Sequence, residues 1–253
     1  MNILKICVLL LACLMLASMR PPDKITVYLI GDSTMADKRP DAFPETGWGM
    51  PFKTFFDASV TVDNRAKNGR STRSFIAENL WQPVVDQLKE GDYVFIQFGH
   101  NDEVKSKTDR YTNPQDFKKN LVRFITETRS KKAIPVLLTP VTRRQFDDAG
   151  KVRETHPEYS PLVAEVAKET NVAFIDLDQE SRSLLQQFGP EDSRYLFMQL
   201  KPGEHPNYPD GRNDNTHFSQ FGARKIAQLV LKDIVALHLD LAGRIVQPAK
   251  KSP

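Results

Sequence analysis

Short runs of β-branched and aromatic residues alternate along this chain with segments whose apolar positions recur every three or four residues. The short runs predict five strands, written ITVYLI, SVTVDNRA, DYVFIQFG, IPVLLTP and NVAFIDLD. The other segments predict helices, written MPFKTFFDA, STRSFIAENLWQPVVDQLKEG, NPQDFKKNLVRFITETRSKK, YSPLVAEVAKET and HFSQFGARKIAQLVLKDIVALHL. Apolar strands that alternate with helices are typical of a parallel sheet covered on both faces. The pattern therefore predicts an α/β fold, a three-layer α/β/α sandwich with a central, mostly parallel five-stranded sheet.

The first twenty residues depart from this alternation. In MNILKICVLLLACLMLASMR, a lysine precedes an apolar stretch over residues 6–17, and small residues follow. The stretch is short for a membrane span and lacks a stop-transfer flank, so it predicts a signal peptide over residues 1–20 and a secreted or periplasmic mature protein. Lipoprotein anchoring at Cys13 is an alternative, against which the apolar residues after that cysteine count.

We expect one domain over residues 21–243 and a disordered tail over residues 244–253. Cys7 and Cys13, the two cysteines of the chain, lie in the predicted leader, so the domain would have no disulfide, thiol nucleophile or thiolate metal site. Without Lys5 and Arg20, the 35 basic side chains become 33 against 32 acidic ones. This balance gives no support to a nucleic-acid partner. We expect a monomer without a membrane span in the mature chain.

Polar segments marked by glycine follow three of the predicted strands. They are Gly31-Asp32-Ser33, residues 64–69 and residues 99–102. Ligands of parallel α/β sheets bind beyond the carboxyl ends of the strands, so we expect these segments to open onto one site. Taken alone, Ser33 could merely cap a helix, because Asp, Ser and Thr are favoured N-caps.

His217 is the candidate general base among the five histidines of the chain. Asp214 stands three residues before it, and such a pair lies side by side in a tight turn. The carboxylate can then accept a hydrogen bond from one ring nitrogen and leave the other facing a serine hydroxyl. A capped helix start is the alternative for this segment. The Gly-x-Ser-x-Gly signature of the α/β-hydrolases does not occur in the sequence.

Together, four segments resemble the consensus blocks of the SGNH, or GDSL-type, hydrolases, in the same order. They are Gly31-Asp32-Ser33 and residues 64–69, 99–102 and 214–217. Within that family, GDSTMA, GWG, NRAKNGRSTRSF and DNTHFSQFGA are similar to the rhamnogalacturonan acetylesterases of carbohydrate esterase family 12. Thr34 stands where the name-giving motif has leucine, which favours the carbohydrate esterases over the lipase-like members. The resemblance covers residues 25–239 and implies a flavodoxin-like SGNH hydrolase fold.

The resemblance also implies a role for each residue of the site. Ser33 would be the nucleophile, His217 the general base and then acid, and Asp214 the residue that orients the imidazole. The backbone N–H groups of Ser33 and Gly69 and the amide of Asn101 would form the oxyanion hole. Gly69 suits this role because a backbone without Cβ can approach the substrate closely. No cofactor or metal is implied.

Basic side chains flank three of the four segments, which suits the carboxylates of a galacturonate-containing polymer. We predict a carboxylic ester hydrolase that removes acetyl groups from pectic polysaccharide or its oligosaccharides, most specifically rhamnogalacturonan. The candidate substrate-binding residues are Trp48, Arg70, Arg73 and Arg212. Trp48, between two glycines, could equally be a packing residue. Three alternatives stay open: an acetylesterase for another glycan such as xylan, a general short-chain acyl esterase, and a non-catalytic carbohydrate-binding protein.

Overall fold

The computed structural model describes residues 23–247 and is built on a five-stranded parallel sheet. Its strands are β1 (Ile25–Gly31), β2 (Val60–Asn64), β3 (Tyr93–Gln97), β4 (Ile134–Leu138) and β5 (Ala173–Ile175). They lie in the order β2-β1-β3-β4-β5, and all four pairings are parallel. The chain passes from β1 outward to β2 and then returns to the other side of β1 to form β3. Sheets of this kind bind ligands where the strand order reverses, here between β1 and β3.

Helices cover both faces of this sheet. They are α1 (Gly49–Phe52), α2 (Thr72–Ala77), α3 (Gln82–Gln87), α4 (Pro114–Ser130), α5 (Tyr159–Thr170), α6 (Leu177–Asp192) and α7 (Gln220–Ala236). Successive side chains of a strand point to opposite faces. In β1, Val27 and Leu29 therefore join a buried apolar cluster with α1, α6 and α7, whereas Tyr28 and Ile30 join a second cluster with α2 to α5. The predicted three-layer α/β/α sandwich is confirmed.

A separate antiparallel pair, β6 (Phe197–Leu200) and β7 (Arg212–Phe218), lies outside this sheet. Residues 214–217, predicted to lie at the start of the final helix, belong to β7. Phe197 pairs with Phe218 while the next residue, Met198, pairs with Asp214. Residues 215–217 therefore have no counterpart on β6 and bulge out of the ladder. Helix α7 begins only at Gln220, after the capping residue Ser219.

Two other predicted elements have different bounds in the structure. Over residues 71–91 the sequence predicts a helix with a break or kink at Pro83. The structure has two helices there, α2 and α3, separated by Asn79 in a left-handed conformation (φ 55°), and Pro83 lies in the first turn of α3. The last predicted strand ends at Ile175, and the long helix α6 follows, which the sequence pattern did not predict. Asp176 caps α6 by accepting a hydrogen bond from the Gln179 N–H, so the chain turns into a helix there.

The structure describes the two ends of the chain only in part. The predicted leader lies outside the described residues, as does the tail from residue 248. The tail was predicted to be disordered from residue 244, but residues 244–247 have defined positions in the structure. There the Val246 N–H donates to the Phe55 carbonyl at 2.8 Å, and Arg244 Nη1 donates to the Asp23 carbonyl at 2.6 Å. Within residues 23–247, no helix is both long and apolar enough to cross a bilayer.

Candidate active site

The loop after β1 displays Ser33 at the carboxyl edge of the sheet. Gly31 ends the strand where a Cβ would lie 2.6 Å from the Gln97 carbonyl oxygen, so only glycine fits. Asp32 is fully buried, and its Oδ1 accepts hydrogen bonds from the backbone N–H and the hydroxyl of Thr34, each at 2.9 Å. Burial raises the pKa of Asp32, while the bonds from Thr34 act in the opposite direction. The turn is thus held from inside, and Ser33 remains partly exposed.

The bulge in β7 brings an imidazole and a carboxylate to this serine. His217 Nε2 lies 3.0 Å from Ser33 Oγ, and His217 Nδ1 lies 2.8 Å from Asp214 Oδ2. Asp214 Oδ1 accepts the backbone N–H groups of Thr216 and His217 at 2.8 and 3.0 Å. The carboxylate therefore shapes the bulge and orients the ring at the same time. Ser33, His217 and Asp214 form one hydrogen-bonded chain, which is the geometry that nucleophilic catalysis by serine needs.

The Asp214 carboxylate is held in its charged form. Burial acts to raise its pKa, but the hydrogen bonds from the ring and backbone N–H of His217 outweigh burial and hold the pKa well below the ordinary value. Arg212 Nη2 adds a contact to Oδ2 at 2.9 Å. Because folding lowers this pKa, the stabilisation is complete above the ordinary value near 4 and is lost only in stronger acid.

The segments carrying Gly69 and Asn101 are joined to each other beside Ser33. Asn101 Nδ2 donates one hydrogen bond to the Arg70 carbonyl at 3.0 Å, which leaves its second amide hydrogen for another acceptor. Gly69 has a φ of +75°, a conformation that glycine adopts without strain. Asp102, next to Asn101, accepts from the N–H and hydroxyl of Thr72 at 2.9 and 2.6 Å. These contacts fix the two candidate oxyanion segments relative to α2.

Asp102 gives the fold a testable pH dependence. Burial raises the pKa of its carboxyl to about 7, against the opposing hydrogen bonds from Thr72 and Thr112. The folded chain therefore binds this proton more tightly than the unfolded chain, and the free energy of unfolding falls as pH rises from about 4 to 7. Asp102→Asn keeps an acceptor for Thr72 without the charge. We expect it to gain up to about 4 kcal/mol relative to the wild type across this range, measured by urea unfolding. Parallel pH profiles would contradict this expectation.

Two buried histidines, His100 and His156, make no hydrogen bond to Ser33 within residues 23–247. His100 is buried with its ring edge-on to His156, at 4.4 Å between centroids. Burial, His156 and Arg143 lower the pKa of His100 well below the ordinary value. Both ring nitrogens of His156 face fixed acceptors, Glu103 Oε2 at 2.9 Å and the Val141 carbonyl at 3.0 Å. His217 is therefore the imidazole available to Ser33.

Trp48 does not line the site, which corrects its prediction as a substrate-binding residue. Its side chain is fully buried and packs edge-on against Phe52. Its indole N–H donates to Gln97 Oε1 at 2.6 Å, and Gln97 Nε2 donates to the Thr34 hydroxyl at 2.8 Å. An indole with a buried acceptor gains more from burial than from exposure. Trp48 thus supports the Ser33 turn through Gln97 and Thr34. In the sequence, a glutamine inside the most apolar strand was the sign that a buried polar partner such as this indole was needed.

The three predicted substrate-binding arginines lie around the site, each with a partner in the protein. Arg70 Nη2 pairs with Glu78 at 2.7 Å, Arg73 Nη1 donates to the Thr108 carbonyl at 3.2 Å, and Arg212 pairs with Asp214. The side chains of Arg70 and Arg212 remain about two-fifths exposed, at 40% and 43%. Their contact with a substrate remains a prediction.

Known proteins are similar to this chain in sequence and in fold. The GDSL-like Lipase/Acylhydrolase family matches residues 29–225, and the chain belongs to this family. The chain is similar to RhgT of Bacillus subtilis (strain 168), a rhamnogalacturonan acetylesterase, with 44% identity over 222 residues that cover 88% of this chain and 94% of that protein. Both findings confirm the resemblance inferred from the four segments.

Solved structures agree with the fold. The crystal structure of the YxiM protein of Bacillus subtilis matches with a TM-score of 0.75 and 25% identity. The match covers 87% of this chain and 58% of that one, so this chain spans less than two thirds of that protein's length. An acetylxylan esterase from Geobacillus stearothermophilus matches with a TM-score of 0.61 and 21% identity, over 85% of this chain and 96% of that one. At this identity the second match shows the fold alone.

Proposed function

We propose that the protein is a serine esterase that removes acetyl groups from rhamnogalacturonan through an acyl-serine intermediate. The observation that carries the proposal is the hydrogen-bonded chain from Ser33 through His217 to Asp214, at the sheet edge where this fold binds ligands. The 44% identity to a rhamnogalacturonan acetylesterase supports the substrate. A carbohydrate-binding protein would have no need of such a chain.

In the first step, Ser33 Oγ bonds to the acetyl carbonyl carbon while its proton passes to His217 Nε2. The carbonyl oxygen becomes negatively charged, and the N–H groups of Ser33, Gly69 and Asn101 stabilise it. When the carbon–oxygen bond to the sugar breaks, His217 returns the proton to the sugar oxygen and acetyl-Ser33 remains. Water then repeats the sequence, with His217 as base, and releases acetate. Each oxyanion donor contributes about 10²–10³ in turnover.

The surroundings of the site support an acidic polymer as substrate. Arg110 Nη1 lies 3.1 Å from the position that a Cβ on Gly69 would occupy, so a guanidinium stands beside a proposed oxyanion donor. The side chain is 27% exposed and pairs with the exposed Asp109 at 3.2 Å. Arg70 and Arg73 follow Gly69 in the same segment. A guanidinium binds a uronate carboxylate in two-point geometry, whereas xylan in its backbone offers no such charge.

Acetate release from acetylated rhamnogalacturonan, homogalacturonan and xylan tests the substrate. We expect the highest kcat/KM on rhamnogalacturonan, and we expect Arg110→Gln to lower it about tenfold because a charge-assisted hydrogen bond is lost. The loss on p-nitrophenyl acetate, which carries no carboxylate, should be smaller. Arg39→Gln is the matched control, because Arg39 is 84% exposed and pairs with Asp41. A preference for xylan would refute the pectic substrate and leave the mechanism standing.

The proposed enzyme is an exported, single-domain protein. It acts outside the cytoplasm, in the periplasm or the medium, after removal of the signal peptide predicted over residues 1–20. The mature chain folds as one domain from residue 21, acts as a monomer and needs no cofactor. Acetylated polysaccharides occur outside cells, which agrees with an exported esterase.

A further inference from the structure

The side chain of Lys38 lies buried directly behind Ser33. It is 2% exposed, and its ammonium group donates to three acceptors. These are the Ser33 carbonyl at 2.6 Å, Asn68 Oδ1 at 2.9 Å and Glu45 Oε1 at 2.8 Å. An ammonium group has three N–H donors, so all of them are used.

The three acceptors belong to three different parts of the site. Ser33 is the proposed nucleophile, and Asn68 immediately precedes Gly69, a proposed oxyanion donor. Glu45 precedes Thr46, whose N–H donates to the carbonyl of Phe218 at 2.9 Å, and Phe218 follows His217. Lys38 therefore connects the nucleophile turn, the oxyanion segment and the strand that carries the base.

The buried Lys38 ammonium does more than neutralise the charge of Glu45. Removing a charged amine from water costs several kcal/mol, and Glu45 alone would suffice to neutralise it. The bonds to Ser33 and Asn68 instead act on backbone geometry. The carbonyl of the Ser33–Thr34 peptide is bound by Lys38 and its N–H by Asp32 Oδ1 at 2.9 Å, so this peptide plane is fixed on both sides.

We propose that Lys38 is a positioning residue that sets the spacing between the Ser33 and Gly69 N–H donors of the oxyanion hole. The inference rests on the proposed function. Those donors act on charge that develops only in the transition state, so their displacement lowers kcat and leaves KM nearly unchanged.

The test uses variants that remove the ammonium group or one of its bonds. Lys38→Met/Glu45→Gln removes the ammonium without leaving an unpaired buried carboxylate. We expect kcat on p-nitrophenyl acetate to fall about 10²-fold, as for a lost oxyanion donor, with KM within about twofold. A boronic acid, whose tetrahedral adduct carries a charged oxygen, should lose affinity in parallel. Lys118→Met is the matched control, because that lysine pairs with Glu165 at 2.6 Å, away from the site.

A second pair of variants keeps the inference testable if the double variant does not fold. Asn68→Asp retains an acceptor for Lys38 and should keep most of the turnover that Asn68→Leu loses, about tenfold. Asn68 is exposed, so neither change disturbs the core. A folded double variant with wild-type kcat, a rise in KM alone, or equal turnover in the two Asn68 variants would each overturn the inference. Absence of esterase activity in the wild type would instead refute the proposed function.

Discussion

Replacement of Ser33 by alanine is expected to lower kcat by at least about 10⁴-fold on both acetylated rhamnogalacturonan and p-nitrophenyl acetate. The substitution removes the oxygen that lies 3.0 Å from His217 Nε2. The variant keeps the oxyanion hole and the substrate-binding groups, which without the nucleophile give only a small part of the wild-type rate. Within residues 23–247, the Ser33 hydroxyl hydrogen-bonds to His217 only, so the thermal midpoint should change little.

The control for this result is Ser183→Ala, on the surface of α6, where the hydroxyl donates to the Gln179 carbonyl. It should retain wild-type turnover. Full activity in a folded Ser33→Ala enzyme would show that another group is the nucleophile.

Asp214→Asn is expected to have the second largest effect, a fall in kcat of about 10³–10⁴-fold. The carboxylate accepts four hydrogen bonds, from the Thr216 and His217 N–H groups, the His217 ring and Arg212. An asparagine side chain has one oxygen, so its amide group must face at least one of these donors. If the amide faces the ring, Nδ1 loses its acceptor and the tautomer with a basic Nε2 is no longer favoured.

Steady-state kinetics on p-nitrophenyl acetate measures this effect. Asp210→Asn, at an exposed position between β6 and β7, makes the same chemical change away from the ring. It should leave kcat near the wild-type value. A loss of less than tenfold in Asp214→Asn would mean that His217 does not depend on this carboxylate for its orientation.

Much of the fold could be predicted because its central strands, β1, β3 and β4, are buried on both faces. Such strands are continuous apolar runs, and DYVFIQFG is one of them. Strand β7 could not be predicted in the same way. Its residues, RNDNTHF, are mostly polar, and its shape depends on hydrogen bonds that the Asp214 side chain accepts and on pairing with β6. Helix α6 was missed because the apolar run of β5 continues through Leu177, while the cap at Asp176 had already ended the strand.

The site was predicted where its residues occur in short segments. Ser33 and the Asp214–His217 pair lie together as the resemblance of the four segments implied. Their catalytic roles are part of the proposed function. The groups that support the site are distant in sequence. Trp48 bonds to Gln97, 49 residues away, and Lys38 bonds to Asn68, 30 residues away. No local pattern reveals such partners, because a buried polar group depends on where the fold places its acceptor.

Labelling with a fluorophosphonate tests most directly whether Ser33, His217 and Asp214 act as one nucleophilic centre. This reagent forms a stable bond to an activated serine oxygen and releases fluoride, and mass spectrometry of peptides locates the adduct. We expect one label per chain, on Ser33, with labelling greatly slowed in His217→Ala and Asp214→Asn. A label on another residue, or equal labelling of Ser33 in those two variants, would contradict it.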